Sequence, residues 1–259
     1  CLVGSEMCIR DRIIPVVIAI VVVLVVAAYQ ISAGTIKKYS QNLLQSSVEN
    51  QASQIEAWLN ENLASFQMAK TIIEDLKPSD EELKTILDGY YGYNSNYPEG
   101  LYVADSTGQL ITASESTKKE SDVTNSTWYK EGLTRVNMAV GSAYQNADGV
   151  NVISASGILN DGSDKVRVIS ADMTLDRIAI IVNSFIEMND AEAFLVDKTS
   201  GVILANRDSS LISQTLGAEG QSHFYQLTAE KAAEKDYNFA TLDGNMTVFQ
   251  EVDLSLIHI

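Results

Sequence analysis

Few side chains in this sequence are suited to acid–base, nucleophilic or metal chemistry, and they are scattered. His223 and His258 are its only imidazoles, and Cys1 and Cys8 its only thiols. His223 stands in Gln221-Ser222-His223-Phe224-Tyr225 without a cluster of metal-type ligands, which fits a surface or capping residue. A Ser-His-Asp triad would have to use it as base, and nothing marks a serine partner. No Gly-rich loop ends in a Lys-Ser or Lys-Thr pair, and neither His-Glu-x-x-His nor Gly-x-Ser-x-Gly is present. Asp80-Glu81-Glu82 follows Pro78-Ser79, where acids complement the start of a helix, and its spacing is not that of a calcium loop. Asp105 precedes Ser106-Thr107-Gly108 and reads as a turn residue rather than a catalytic carboxylate. The expectation is a protein that is not an enzyme and uses neither metal nor cofactor.

Both ends resemble translated sequencing-adapter DNA. Leu254-Ser255-Leu256-Ile257-His258-Ile259 is what CTG-TCT-CTT-ATA-CAC-ATC encodes, and the opposite strand, read in one frame, encodes Leu2 to Asp11. Residues 1–12 and 253–259 are therefore set aside as an expected artefact, as an expression scar would be. Cys1, Cys8 and His258 go with them, so no disulfide or thiolate chemistry is expected. Arg10 and Arg12 lose their value for membrane orientation.

Residues 13–28 carry no charged or polar side chain, and extension to Ala33 gives about twenty residues, the length that spans a hydrocarbon core of roughly 30 Å. The sequence predicts a transmembrane helix over 13–33. A cleaved signal is the alternative, but signal cores usually run about 7–15 residues. The net charge is −16, and it is unchanged when Glu6, Asp11, Arg10 and Arg12 are removed. Such a surface disfavours nucleic acid, which needs clustered Lys and Arg.

Residues 34–76 contain no proline and no internal glycine and predict one long helix. Ala52, Leu59, Phe66 and Ile73 recur every seven residues, with Ile55, Ala69 and Leu76 three residues after members of that series. This stripe fits a helix lying on its own domain, and also a stalk pairing with a second copy. Pro78-Ser79 stops it, and a second helix begins at Asp80 and carries Leu83, Ile86 and Leu87. Strands follow at 101–105 and 109–112 around a glycine turn, then a short helix at 128–136. Strand-like stretches at 140–144, 150–156 and 165–171 lead to a helix at 175–186, with Thr174 or Asp172 near its cap. Residues 192–205 repeat the strand, turn, strand pattern of 101–112, acid and glycine included, so two mixed α/β modules are expected in an α+β fold.

A membrane helix, a long helix and two modules with turns Asp105-Ser106-Thr107-Gly108 and Asp197-Lys198-Thr199-Ser200-Gly201 resemble the double Cache sensor domain of bacterial methyl-accepting chemotaxis proteins. Trp128-Tyr129-Lys130-Glu131-Gly132 is the most specific stretch. The resemblance covers residues 13–252. It implies two PAS-like modules, a stalk and membrane-distal module over 34–188 and an incomplete membrane-proximal module over 189–252. It also implies an extracytoplasmic location, a homodimer formed through the stalk and a cell-membrane protein that binds a small molecule. Sensor regions of histidine kinases or diguanylate cyclases, and non-signalling membrane-anchored binding modules, are the alternatives.

The same resemblance implies a ligand pocket in the distal module at Trp128, Tyr129, Tyr144 and Asp172. The indole and phenols would give flat apolar walls with polar rims, and Asp172 would accept hydrogen bonds from a ligand ammonium, as in an amine or amino acid. Core packing is the alternative for Trp128 and Tyr144, and helix capping for Asp172. One position departs from the pattern. Amino-acid-binding members carry arginine two residues before the tryptophan, to grip a carboxylate with a planar fork, and this chain has Ser126. Nothing in the sequence aims Arg135 or Arg167 at the pocket instead.

Overall fold

A computed structural model describes residues 3–184, 191–198, 200–234 and 239–252, and the fold is α+β. The chain divides into two compact units, Cys1–Ser47 and Val48–Ile259. The first is entirely helical among its described residues and belongs to α1 (Val3–Leu76). It is part of the one helix, among the described residues, long and apolar enough to cross a membrane, with a mean hydropathy of 2.8 in its most apolar window. From Ile13 to Val26 its aliphatic side chains are exposed. The expected division between span and stalk at 33/34 is no break in the backbone. Gly34 costs a helix on the order of 1 kcal/mol against alanine, which the flanking helical residues absorb.

In the second unit α1 buries Ala52, Ile55, Leu59, Phe66, Ala69 and Ile73, the stripe expected from the heptad spacing. Leu76, expected in that stripe, is exposed, because the helix ends there: Lys77 turns left-handed at φ 48° and Pro78 follows. Ser79 caps α2 (Asp80–Asp88) in a reciprocal capping box with Glu82, and Leu83 and Leu87 are buried beneath it.

The sheet comprises β1 (Leu101–Asp105), β2 (Leu110–Ile111), β3 (Ala139–Gln145), β4 (Asn151–Leu159) and β5 (Arg167–Thr174). Its order is β2-β1-β5-β4-β3, antiparallel throughout. Alternate residues separate its two faces. Leu101, Val103, Ile153, Ala155, Ile169, Ala171 and Met173 join the α1 residues in the main core. Tyr102, Ala104 and Val168 form a smaller core with Val123, Trp128 and Tyr129. Both faces are therefore covered, and β1 is buried at every position. β5 is buried at all but its last position, and a strand buried on two sides has no polar face to mark the outside.

Several boundaries differ from expectation. The helix expected over 128–136 is α3 (Thr127–Gly132), and the chain then turns, with Thr134 and Arg135 bonded back to Glu131 and Gly132, to reach β3. Val136 is exposed. A Cβ on Gly132 would lie 2.4 Å from Val168 Cγ1, so glycine lets α3 lie close against the sheet. The strand expected to end at Ala171 continues to Thr174, and α4 (Asp176–Asn183) starts from Leu175. Neither Asp172 nor Thr174 caps it; both are strand residues, drawn into the ladder by pairing with Ser154 and Val152 of β4. The helix expected to reach Ile186 ends at Asn183, with Ser184 as its C-cap, and residues 185–186 lie outside the described residues. Gln51 of α1 donates to the Ile181 and Val182 carbonyls at the end of α4.

A second set follows: β6 (Leu195–Val196) pairs with β7 (Ile203–Ala205), then come α5 (His223–Ala233), β8 (Ala240–Leu242) and β9 (Asn245–Thr247). The repeat noted in the sequence has a common device. Asp105 Oδ1 accepts the Thr107 and Gln109 amides at 2.8 and 3.1 Å, with Gly108 at φ 85°. Asp197 Oδ1 accepts the Ser200 amide at 2.8 Å, with Gly201 at φ 71°. His223 begins α5, two-thirds exposed at its side chain.

Burial opposes the charge on Asp105, but the Lys165 ammonium, the Thr107 hydroxyl and the two turn amides override it and hold its carboxyl down to about 2, below its ordinary 3.8. A depressed pKa stabilises the fold above the unfolded-state value and loses that contribution as pH falls through the folded value. The difference in urea midpoint between wild type and Asp105→Asn should be constant from about pH 7 to about pH 5 and close between about pH 4 and about pH 2. Gly132→Ala should lower stability by about 1–3 kcal/mol in the same assay, because the methyl group must push α3 off β5.

Candidate functional site

Strand pairing gathers four hydroxyl and carboxyl groups at one point. Ser154 of β4 faces Asp172 of β5 directly, and Tyr102 of β1 faces Ser170, one step along the same side of β5. Asp172 Oδ1 accepts from Ser154 Oγ at 2.6 Å, from Tyr144 Oη at 3.0 Å and from Tyr102 Oη. Burial, and then the negative charge of Asp172, push both phenols far above their ordinary range, so they remain donors throughout physiological pH. The other oxygen, Oδ2, receives Lys118 Nζ at 2.6 Å. That ammonium also lies 4.2 Å from the centre of the Tyr102 ring. The Lys118 and Asp172 side chains are only 9% and 8% exposed, so the pair is largely withdrawn from water.

Lys118, Tyr144 and Asp172 of this cluster line a cleft of about 520 Å³, with Tyr102 and Ser154 behind them. Of the residues expected at a pocket, Ser126, Tyr144 and Asp172 line it, while Trp128 and Tyr129 do not. Trp128 is wholly buried in the smaller core, edge-to-face with Tyr102 at 4.9 Å and with Tyr129 at 5.7 Å. It acts on the cleft through its indole N–H, which donates to Glu120 Oε2 at 2.8 Å. Glu120 lines the cleft, and burial pushes its carboxyl up against the opposing pull of the Trp128 hydrogen bond and the Lys118 charge. Trp128 therefore positions a carboxylate instead of forming a flat wall. Ser126 precedes α3, and its hydroxyl donates to the Val123 carbonyl at 2.6 Å, so its one proton is already committed.

The cleft is acidic. Glu99, Glu120, Asp122, Asp148 and Asp172 line it against Lys118 and Lys119, and no arginine does. Arg135 is bonded to Glu131 and the Ala139 carbonyl, and Arg167 to Asp161 and Asp80. Among the described residues no group of three or more metal-type side chains is gathered.

The Cache domain family model dCache_1 matches residues 28–257. The chain belongs to this Cache domain family. Solved structures with the same fold include the ligand-binding domain of the Pseudomonas fluorescens chemoreceptor CtaA in complex with L-isoleucine, 20% identical, with a TM-score of 0.61 over 82% of this chain and 85% of that one. The ligand-binding domain of the Pseudomonas aeruginosa PAO1 amino acid chemoreceptor PctC, in complex with GABA, is 23% identical, with a TM-score of 0.58 over 69% and 81%. That of Mlp24 with asparagine is 17% identical, with a TM-score of 0.62 over 80% and 83%. No curated protein matches the sequence.

Within this Cache domain, three members of the Asp172 cluster escaped sequence reasoning. Tyr102 and Ser154 are ordinary strand residues until pairing places them beside Asp172, so only a correct β1-β5-β4 order could have found them. Lys118 lies in the irregular segment between β2 and α3, where neither periodicity nor a motif marks it. Asp172, expected to be open to a ligand ammonium, already carries one from the chain itself.

Trp128→Phe keeps the ring contacts and deletes the donor to Glu120. The Glu120 carboxyl pKa should rise further, read by ¹³C carboxyl NMR titration, and stability should fall by about 1 kcal/mol, the net worth of one hydrogen bond.

Proposed function

We propose that the chain is the extracytoplasmic sensing region of a transmembrane chemoreceptor, and that the cleft beside Asp172 binds a small molecule through a positively charged amine. The observation that carries this reading is the excess of carboxylates around the cleft, with Asp172 held in place by three hydroxyl donors. A cation is attracted to such a concavity, and a bare carboxylate is repelled from it. Tyr144, Asp172 and Ser126 contact the ligand, while Trp128 and Tyr129 support the floor from behind. The lack of an arginine in the lining, with the Ser126 proton already spent, favours amines over α-amino acids.

Membership of the Cache family and the likeness to chemoreceptor ligand-binding domains support the sensor role. The apolar helix supports membrane anchoring, with the module over 34–188 distal and that over 189–252 proximal. Two copies pair through α1, which leaves Met68 and Ile72 exposed. Ligand binding then changes the relative populations of two arrangements of the paired helices, and that shift is the signal. The sensor performs no chemistry on its ligand.

Isothermal titration with n-butylamine and with butyrate tests the reading. The amine should bind saturably and butyrate should not, and Asp172→Asn should weaken amine binding by about tenfold or more, as expected for a charged hydrogen bond. Preference for butyrate, or amine binding unaffected by Asp172→Asn, would refute it.

A further inference from the structure

Residues 112–122, between β2 and α3, have no regular secondary structure, yet the segment is tied down along its length. The Ser114 amide and hydroxyl both donate to Asp88 at the end of α2. The Ser116 and Thr117 hydroxyls donate to Glu99. Glu120 is held by the Trp128 indole. Lys118 lies between these anchors, and none of them involves its side chain. The segment would therefore remain attached if the Lys118 side chain left its place.

That place has the chemistry of an ammonium subsite. Oδ1 of Asp172 is saturated by three hydroxyls, so Oδ2 is the oxygen open to a cation, and Lys118 Nζ occupies it. The Tyr102 ring offers the same ammonium an aromatic face at 4.2 Å. A carboxylate oxygen with an aromatic face beside it is how a primary ammonium is recognised. A lysine normally keeps its charge in water, and fixing its side chain sacrifices rotamer entropy. The pairing is therefore a contest between a tethered amine and water, at the wall of a cleft of about 520 Å³.

Building on the reading of the cleft as an amine site, we infer that Lys118 is a tethered occupant of its ammonium subsite: an external amine reaches Asp172 only when Lys118 withdraws. The tether sets the concentration at which the sensor responds, and binding moves Lys118 off Asp172. Apparent affinity scales with the fraction of molecules whose subsite is open, so a subsite open about a tenth of the time weakens binding about tenfold. Lys118→Met removes the competing charge but keeps most of the stem that covers Tyr102, and Asp172 retains its three hydroxyl donors. Lys118→Arg keeps a cation in place.

The experiment uses the full chain in detergent micelles, with n-butylamine as probe. Titration calorimetry should show Lys118→Met binding about tenfold or more tightly than wild type, Lys118→Arg no more tightly, and Asp172→Asn in the Lys118→Met background losing the gain. In ¹⁵N-lysine-labelled wild type, the Lys118 ammonium resonance, assigned by its loss in Lys118→Arg, should leave its ion-paired position as the amine saturates. If butylamine binds but Lys118→Met is no tighter than wild type, the tether is wrong and the amine cleft stands. If Lys118→Met does not fold, the wild-type resonance decides, and its persistence at saturation overturns the inference. If butylamine binds no folded variant, the cleft reading fails and the inference fails with it.

Discussion

Asp172 lies on the central strand with its carboxylate largely out of water, and four donors from four segments converge on it. Tyr102 comes from β1, Tyr144 from β3, Ser154 from β4 and Lys118 from the segment before α3. Removing an ion from water costs several kcal/mol unless partners replace the lost hydration, so the strand order, the register and the path of residues 112–122 are all tied to that one group. Two of the groups that satisfy Asp172, Tyr144 and Lys118, line the cleft beside it.

Burial of both sheet faces makes such a cluster possible. The face toward α1 is aliphatic and continuous with Phe66, Ile73, Leu83 and Leu87. The other face is part apolar, under Trp128 and Tyr129, and part polar, with Ser154, Ser156, Ser170 and Asp172 all buried. α3 packs on this face, held close by Gly132 against Val168 and Ser156, and its Trp128 stacks edge-to-face with Tyr102 and Tyr129. The Trp-Tyr pair works from inside this stack, and its influence on the cleft passes through one hydrogen bond to Glu120.

The neighbours of known structure share the fold at 17–23% identity. At that distance the backbone path persists while the side chains around a cleft are free to change, so the character of the site has to be read from this chain's own residues. Those residues describe an acidic concavity with a lysine paired to Asp172 and a serine whose proton is committed to a backbone carbonyl.

Much of the architecture is visible in the residues themselves, because local rules govern it. Heptad spacing marked the buried stripe of α1, Pro78-Ser79 with Glu82 marked the start of α2, and the paired Asp and Gly turns marked the repeat. Composition and missing motifs pointed away from the commoner enzyme sites. Where two rules competed, the local one lost: Asp172 looks like a helix cap until pairing with β4 extends β5 beyond it, and Trp128 looks like a pocket wall until Tyr102 closes over it. What the sequence alone determined is the order of helices and strands, the apolar run and the positions able to carry charge. Tertiary structure alone decided which of those positions meet. Tyr102, Lys118, Ser154 and Asp172 are separated by up to 70 residues, and the cost of an unpaired buried carboxylate acts only once the sheet has brought them together.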